Sequence, residues 1–287
     1  MMGVLNLTPD SFSDGGELSS QASLENKLDA MISHGVHVFD FGAESTAPMN
    51  HAISNHEELA RFENLLFKTV EKRPDLIKGK RISIDSYRPW VFKKVYDFLM
   101  PFGPSELIFN DVSGVIDDEL RELFVSCPKA NVVYSHTHVP TREETCDHMR
   151  YLLDDLEASD ILETFSVACE EFERMGVSDR LYFDPCFGFS KSSDQNIVLL
   201  NELSLLIRHF NEEQGLQKKW VLGISRKSFL QGLTGLSDKK LAQKDSEFFH
   251  FGLLTKWFED LPDGNEYLIR LHDPKVFNYA KAFVENL

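Results

Sequence analysis

The chain has 287 residues, of which 42% are hydrophobic, and a formal net charge of −16. That length permits one large buried core, and the acidic balance argues against a surface for nucleic acid or an anionic membrane. No apolar stretch reaches the ~20 residues of a membrane span, and no signal segment opens the chain. The four cysteines lack metal-type spacing, which predicts reduced thiols and a cytoplasmic protein.

Eight short apolar runs follow one another along the chain, and each ends in polar residues. Stretches with helical spacing of apolar residues lie between them, such as "SLENKLDAMISHG" and "DILETFSVACEEFERMG". Strands apolar on both faces that alternate with helices indicate a parallel sheet, so eight such units predict a single (β/α)8 TIM barrel over residues 1–287. A doubly wound open sheet is the alternative, although no GxGxxG follows the first run. The runs end at Asn6, Asp40, Asp85, Asn110, His136, Asp184, Ser225 and Arg270.

Polar side chains at these strand ends predict a binding site, because the site of such a barrel lies at the carboxyl ends of its strands. Asp40, Asp85, Asn110 and Asp184 offer acceptors and donors suited to a flat heterocycle with amino and lactam groups. Any one of them taken alone is better explained by a helix cap or a turn, whereas several at the same rim favour a site. The polar stretch "NLTPDSFSDGG" becomes the first loop at this mouth.

The positive charges that could hold an anion occur late in the chain. "GISRKSF" places Ser225, Arg226 and Lys227 after the seventh run, and "IRLHD" places Arg270 and His272 at the eighth. Phosphate sites in this fold are commonly built after strands seven and eight. The "CFGF" stretch contributes aromatic rings that are either core or walls of the site.

These stretches together resemble the dihydropteroate synthase family, whose members couple a pterin methyl pyrophosphate to p-aminobenzoate and release pyrophosphate. "NLTPDSFSDGG", "DFGAEST", "IDSYRP", "FNDVSG", "DPCFGFSK", "GISRKS" and "RLHD" follow in the family's order over nearly the whole chain. The resemblance implies the same barrel fold.

The resemblance also implies roles for individual residues. Asp14, Lys227, Arg270 and His272 would be catalytic, with Asp14 facing the cation that develops on the pterin. Asn6 would ligate Mg²⁺ or contact the pyrophosphate, which Arg270 and His272 would also bind. The aminobenzoate slot would be bordered by Phe12, Thr46, Phe187 and Ser225. The pterin would be bound by Asp85, Asn110, Asp184, Lys227, Val4, Val112, Phe189 and Arg270.

Three departures from the family pattern keep other functions open. "ESTAP" places Ala47 where the family has an arginine, and "SHTH" places Ser135 where a methionine is usual. The chain also begins just before its first run, where many members have a further segment. A degenerate pterin-binding paralogue and a methyltetrahydrofolate-binding methyltransferase domain are the alternatives. The family further suggests a homodimer.

Overall fold

The computed structural model describes residues 1–8, 20–46, 50–214 and 218–286. Three residues with predicted roles, Phe12, Asp14 and Ala47, lie outside these ranges, and their assignments stay predictions. The four cysteines are free and buried.

Eight parallel strands close into a barrel in chain order, because β1 pairs with both β2 and β8. The (β/α)8 prediction is therefore confirmed, and the open sheet is wrong. Each strand ends within two residues of its predicted position. The strands are β1 (Met2–Asn6), β2 (Val38–Gly42), β3 (Arg81–Ser86), β4 (Glu106–Asp111), β5 (Ala130–Ser135), β6 (Leu181–Asp184), β7 (Lys219–Gly223) and β8 (Glu266–Leu271).

Helices cover the barrel, and several start at side-chain caps that the sequence supplies. Asp117 accepts from the Leu120 amide at the start of α5, and Asp273 precedes Pro274 at the start of α10. Among the helices described, none is both long and apolar enough to cross a membrane. They are α1 (Gln21–Ser33), α2 (Asn55–Phe62), α3 (Lys68–Lys72), α4 (Pro89–Leu99), α5 (Asp118–Ser126), α6 (Ala158–Arg174), α7 (Ser193–Gln214), α8 (Ser228–Leu233), α9 (Lys239–Asp260) and α10 (Pro274–Glu285).

The barrel interior is layered along its axis. At the amino-terminal end of the strands, Arg81 bonds to Glu106, Tyr182 and Glu266. Above it lies a cluster of buried apolar side chains, and the carboxyl ends of the strands then add a charged layer. The cluster contains Met2, Val38, Ile108, Val133, Val221 and Leu268. The polar mouth therefore lies above buried apolar side chains.

Candidate active site

Arg270 links two strands at the mouth of the barrel. Its Nε donates to Asp40 Oδ2 at 2.6 Å, and its Nη2 donates to Asp85 Oδ2 at 2.5 Å. These two bonds fix the plane of the guanidinium group. Burial raises the pKa of Asp85 to about 6, although the Arg270 charge opposes this increase.

Asn110 presents an acceptor to the same space. Its Nδ2 donates to Asp40 Oδ1 at 3.3 Å, and its Oδ1 is buried without a hydrogen-bond partner among the described residues. The orientation of the carboxamide follows from the contact, since a carboxylate accepts hydrogen bonds and cannot donate to Oδ1. A buried carbonyl oxygen without a partner is costly unless a ligand donates to it.

Asp184 and Lys227 supply a second pair of opposite charges. Asp184 Oδ1 accepts from the Cys186 amide at 2.7 Å, and Lys227 lies above the Phe189 ring with Nζ 4.7 Å from its centroid. Burial raises the pKa of Asp184 and lowers the pKa of Lys227. The Asp184 carboxylate and the Lys227 ammonium group are therefore both poorly solvated, which favours a polar ligand that bonds to both.

His272 is a neutral hydrogen-bonding group rather than the cation that the sequence suggested. Burial, followed by the positive charges of Arg226 and Arg270, holds its pKa well below the ordinary value. The Ser225 hydroxyl lies 3.1 Å from His272 Nδ1 and also accepts from the His272 amide at 3.3 Å. When that hydroxyl donates to Nδ1, the ring proton sits on Nε2, where it can be donated to an anion.

The apolar residues predicted for the pterin pocket lie at the mouth. Val112 packs with Tyr87 and Cys146, and Phe189 packs against the same cluster. Val4 is buried two residues before the end of β1. Asn6 ends β1 beside Gly42 of β2.

The prediction for Phe187 is corrected by the structure. Its side chain is fully buried and faces Phe229 and Trp257, with both centroid distances 6.4 Å. It belongs to the core between barrel and helices, because the positive φ angles of Cys186 and Gly188 break the strand alternation that would put Phe187 and Phe189 on the same side. Thr46 lies near the mouth, where its backbone is close enough to His148 to oppose the lowering of that histidine's pKa.

Two residues at the mouth, Lys191 and His148, had no predicted role in the site, and a third, Asp40, makes contacts that were not predicted. Asp40 was predicted with the other strand-end groups to face a heterocycle, and the structure shows that it orients both Arg270 and Asn110. The buried Lys191 donates through Nζ to the carbonyls of His136, Cys186 and Phe189. His148 stacks on Phe189. The sequence carried no signal for His148, whereas Lys191 ends the "DPCFGFSK" motif.

Comparison with known proteins agrees with this geometry. The model of the pterin binding enzyme family matches residues 2–254. The chain is 30% identical to the dihydropteroate synthase of Bacillus subtilis, over 85% of this chain and 75% of that protein. It is 35% identical to a folate synthesis bifunctional protein of Arabidopsis thaliana over 82% of this chain. The chain spans less than half the length of the plant bifunctional proteins, covering 47%, 41% and 43% of three of them.

Solved structures of similar fold include dihydropteroate synthases. The enzyme of Yersinia pestis in complex with a sulfonamide drug superposes with a TM-score of 0.77 at 27% identity, covering 99% of this chain and 92% of that one. The enzyme of Clostridium difficile in the presence of pteroic acid gives a TM-score of 0.74 at 25% identity, covering 99% and 95%. β8 and α10, which complete the barrel here, lie beyond the residues matched by the family model.

Proposed function

We propose that this chain is a dihydropteroate synthase, because it belongs to the family of pterin-binding enzymes. It would join 6-hydroxymethyl-7,8-dihydropterin pyrophosphate to p-aminobenzoate. The bond between the pterin methylene carbon and the pyrophosphate oxygen breaks, and a bond to the amine nitrogen forms. The amine loses one proton, and the products are 7,8-dihydropteroate and pyrophosphate.

One observation carries the pterin assignment: Asn110 Oδ1 is a buried acceptor, oriented by Asp40, that has no hydrogen-bond partner in the part of the chain that the structure describes. A pterin has ring and exocyclic N–H groups along one edge, so it can donate to this oxygen and to neighbouring carboxylates. Asp85, Asp184 and Lys227 supply the remaining polar contacts in this proposal. Val112 and Phe189 form the apolar walls, with Val4 below them.

The leaving group would be held at the β7 and β8 ends of the mouth. Arg270 contributes charge, and His272 contributes a neutral N–H donor. No cluster of three metal-ligating side chains occurs among the residues described. A single carboxamide oxygen from Asn6 nevertheless fits Mg²⁺, which is commonly held by one or two protein oxygens together with substrate phosphates. Bound there, Mg²⁺ would neutralise charge on the pyrophosphate.

The second substrate, p-aminobenzoate, would bind beside the loops that follow β1 and β2. Thr46 lies in the loop after β2, and Phe12, in the loop after β1, is its predicted partner. Asp14 would face the cation that develops on the pterin methylene as pyrophosphate leaves. The amine attacks this carbon directly, so the reaction requires no side-chain nucleophile.

The proposal includes a homodimer in the cytoplasm. Adjacent helices α7, α8 and α9 present large exposed apolar side chains, of which Phe248 is 76% exposed. Exposed large apolar side chains on neighbouring helices are typical of a protein interface. Four free buried thiols are consistent with a reducing compartment. The other exposed apolar residues of this surface include Leu205, Leu233, Leu236, Leu241 and Phe249.

Release of pyrophosphate tests the function. The purified chain is supplied with the pterin pyrophosphate and Mg²⁺, with and without p-aminobenzoate. A synthase releases pyrophosphate and forms dihydropteroate only when both substrates are present. Binding of the pterin without turnover would instead identify a degenerate pterin-binding protein. The presence of Ala47 where the family has an arginine favours that alternative.

A further inference from the structure

The loop between β6 and α7, residues 185–192, has an unusual backbone. Cys186 and Ser190 have φ angles of 54° and 49°, and Gly188 has a φ of 83°. Side chains with a Cβ rarely adopt this left-handed region, so the surrounding structure must hold the loop in place. The same loop carries Phe189, which borders the site.

Every second amide of this loop donates to a side chain. The Cys186 amide donates to Asp184 Oδ1 at 2.7 Å, and the Gly188 amide donates to Asn196 Oδ1 at 2.7 Å. The Ser190 amide donates to His148 Nδ1 at 3.1 Å. Of these three acceptors, Asp184 and Asn196 flank the loop in sequence, whereas His148 comes from the 3₁₀ segment Arg142–Arg150 after β5.

His148 also contacts the aromatic wall of the site. Its ring stacks on Phe189 with centroids 4.3 Å apart and planes inclined by 24°. Its backbone carbonyl accepts from the Ser190 hydroxyl at 3.0 Å. One residue therefore contacts both the backbone and the key side chain of the loop.

The protonation state of His148 suits this role. A ring nitrogen that accepts from an amide must lack a proton, so Nε2 carries the proton in the neutral ring. Burial, followed by the Lys227 charge, lowers the pKa of His148 to about 4. The acceptor at Nδ1 is consequently maintained at neutral pH.

We propose that His148 is a positioning residue for pterin binding, which holds the 185–192 loop and the Phe189 ring in the geometry that the substrate requires. This inference rests on the proposed function. His148 lies in the Arg142–Arg150 segment, which is outside all seven sequence motifs that resemble the family.

Two substitutions separate the two contacts. His148→Phe keeps an aromatic ring beside Phe189 and removes the acceptor for the Ser190 amide. His148→Asn keeps an acceptor near the position of Nδ1 and removes the ring. Val70→Ala is the matched control, because Val70 is a buried residue of α3 outside the barrel mouth. It lowers stability without touching the loop.

Calorimetry with 6-hydroxymethylpterin and steady-state kinetics measure the effect on binding. We expect His148→Phe to raise the Kd for the pterin and the KM for its pyrophosphate by about fivefold to tenfold, as for the loss of one hydrogen bond. The effect on kcat should be smaller. His148→Asn should lie between His148→Phe and the unmodified protein. Wild-type pterin affinity in His148→Phe, or an equal loss of affinity in Val70→Ala, would overturn the proposal.

Hydrogen exchange at the Ser190 amide provides a readout that is independent of activity. His148→Phe should expose this amide to faster exchange, whereas His148→Asn and Val70→Ala should preserve its protection. Unchanged protection in His148→Phe would overturn the positioning role. If the unmodified chain binds no pterin, the proposed function fails, and the exchange result still decides whether His148 holds the loop.

Discussion

Arg270 and Asp40 form an ion pair across the barrel mouth, although they come from β8 and β2. The pair is direct, with 2.6 Å between Nε and Oδ2, and the Asp40 side chain is fully buried. Because Asp40 also accepts from Asn110, one carboxylate sets the orientation of two groups that we assign to pterin binding. Asp40 itself is therefore a supporting residue of the proposed pterin site.

We expect Asp40→Asn to weaken pterin binding by about tenfold and to lower the free energy of unfolding by about 2 kcal/mol. These are the typical effects of losing a hydrogen bond to a charged group. Calorimetry and urea denaturation measure the two quantities. Asp75→Asn is the control, because Asp75 pairs with Arg73 on an exposed surface. Unchanged pterin affinity in Asp40→Asn would remove Asp40 from the site.

Ala47→Arg tests the most prominent departure from the family pattern. A restored arginine should raise kcat by about tenfold or more, since pyrophosphate gains charge as the C–O bond breaks and a charge-assisted bond contributes about 1.5–3 kcal/mol. Steady-state kinetics at saturating Mg²⁺ and p-aminobenzoate measure this change. Ala47→Gln controls for added length without charge. A lower kcat/KM in a folded Ala47→Arg protein would indicate that the loop after β2 serves another ligand.

Glu58 should make stability depend on pH. Burial raises its pKa to about 7 from an ordinary value of 4.5, even though Arg88 opposes the shift. Between these values Glu58 binds more protons in the folded state than in the unfolded state, so its contribution to stability is greatest below pH 4.5 and is lost as pH rises through 7.

Comparison with Glu58→Gln isolates this contribution, because glutamine does not titrate. The free energy of unfolding of the variant, relative to the unmodified protein, should increase between pH 5 and pH 8 by up to about 3 kcal/mol. Urea denaturation at a series of pH values measures it. Glu57→Gln, at an exposed position on the same helix, should show no such trend. A difference that is flat with pH would mean that Glu58 ionises normally.

Arg81 should matter for stability and not for catalysis, because it lies at the end of the barrel opposite the site. It bonds to Glu106, Glu266 and Tyr182, and its side chain is 25% exposed. Arg81→Met leaves two carboxylates without their partner, so the free energy of unfolding should fall by about 3 kcal/mol. The kcat should stay within twofold, about the error of such a comparison. Arg121→Met, on the surface of α5, is the control, and a large loss of kcat in Arg81→Met would contradict this division.

The sequence by itself determined the architecture and several of the polar groups that reach the mouth of the barrel. Eight apolar runs with helices between them leave few other ways to bury strands that are apolar on both faces, so the barrel follows from local pattern. Once the barrel is accepted, Asp85, Asn110, Asp184 and Lys227 must meet, because the carboxyl ends of parallel strands share one rim.

Only the tertiary structure decided which side chains contact one another across that rim. The pairing of Arg270 with Asp40, the neutral state of His272 and the burial of Phe187 depend on neighbours distant in sequence. The contact of His148 with Phe189 also depends on how a segment after β5 packs over the loop after β6. Protonation and orientation are set by local burial and nearby charge, and the linear pattern specifies neither until the chain has folded.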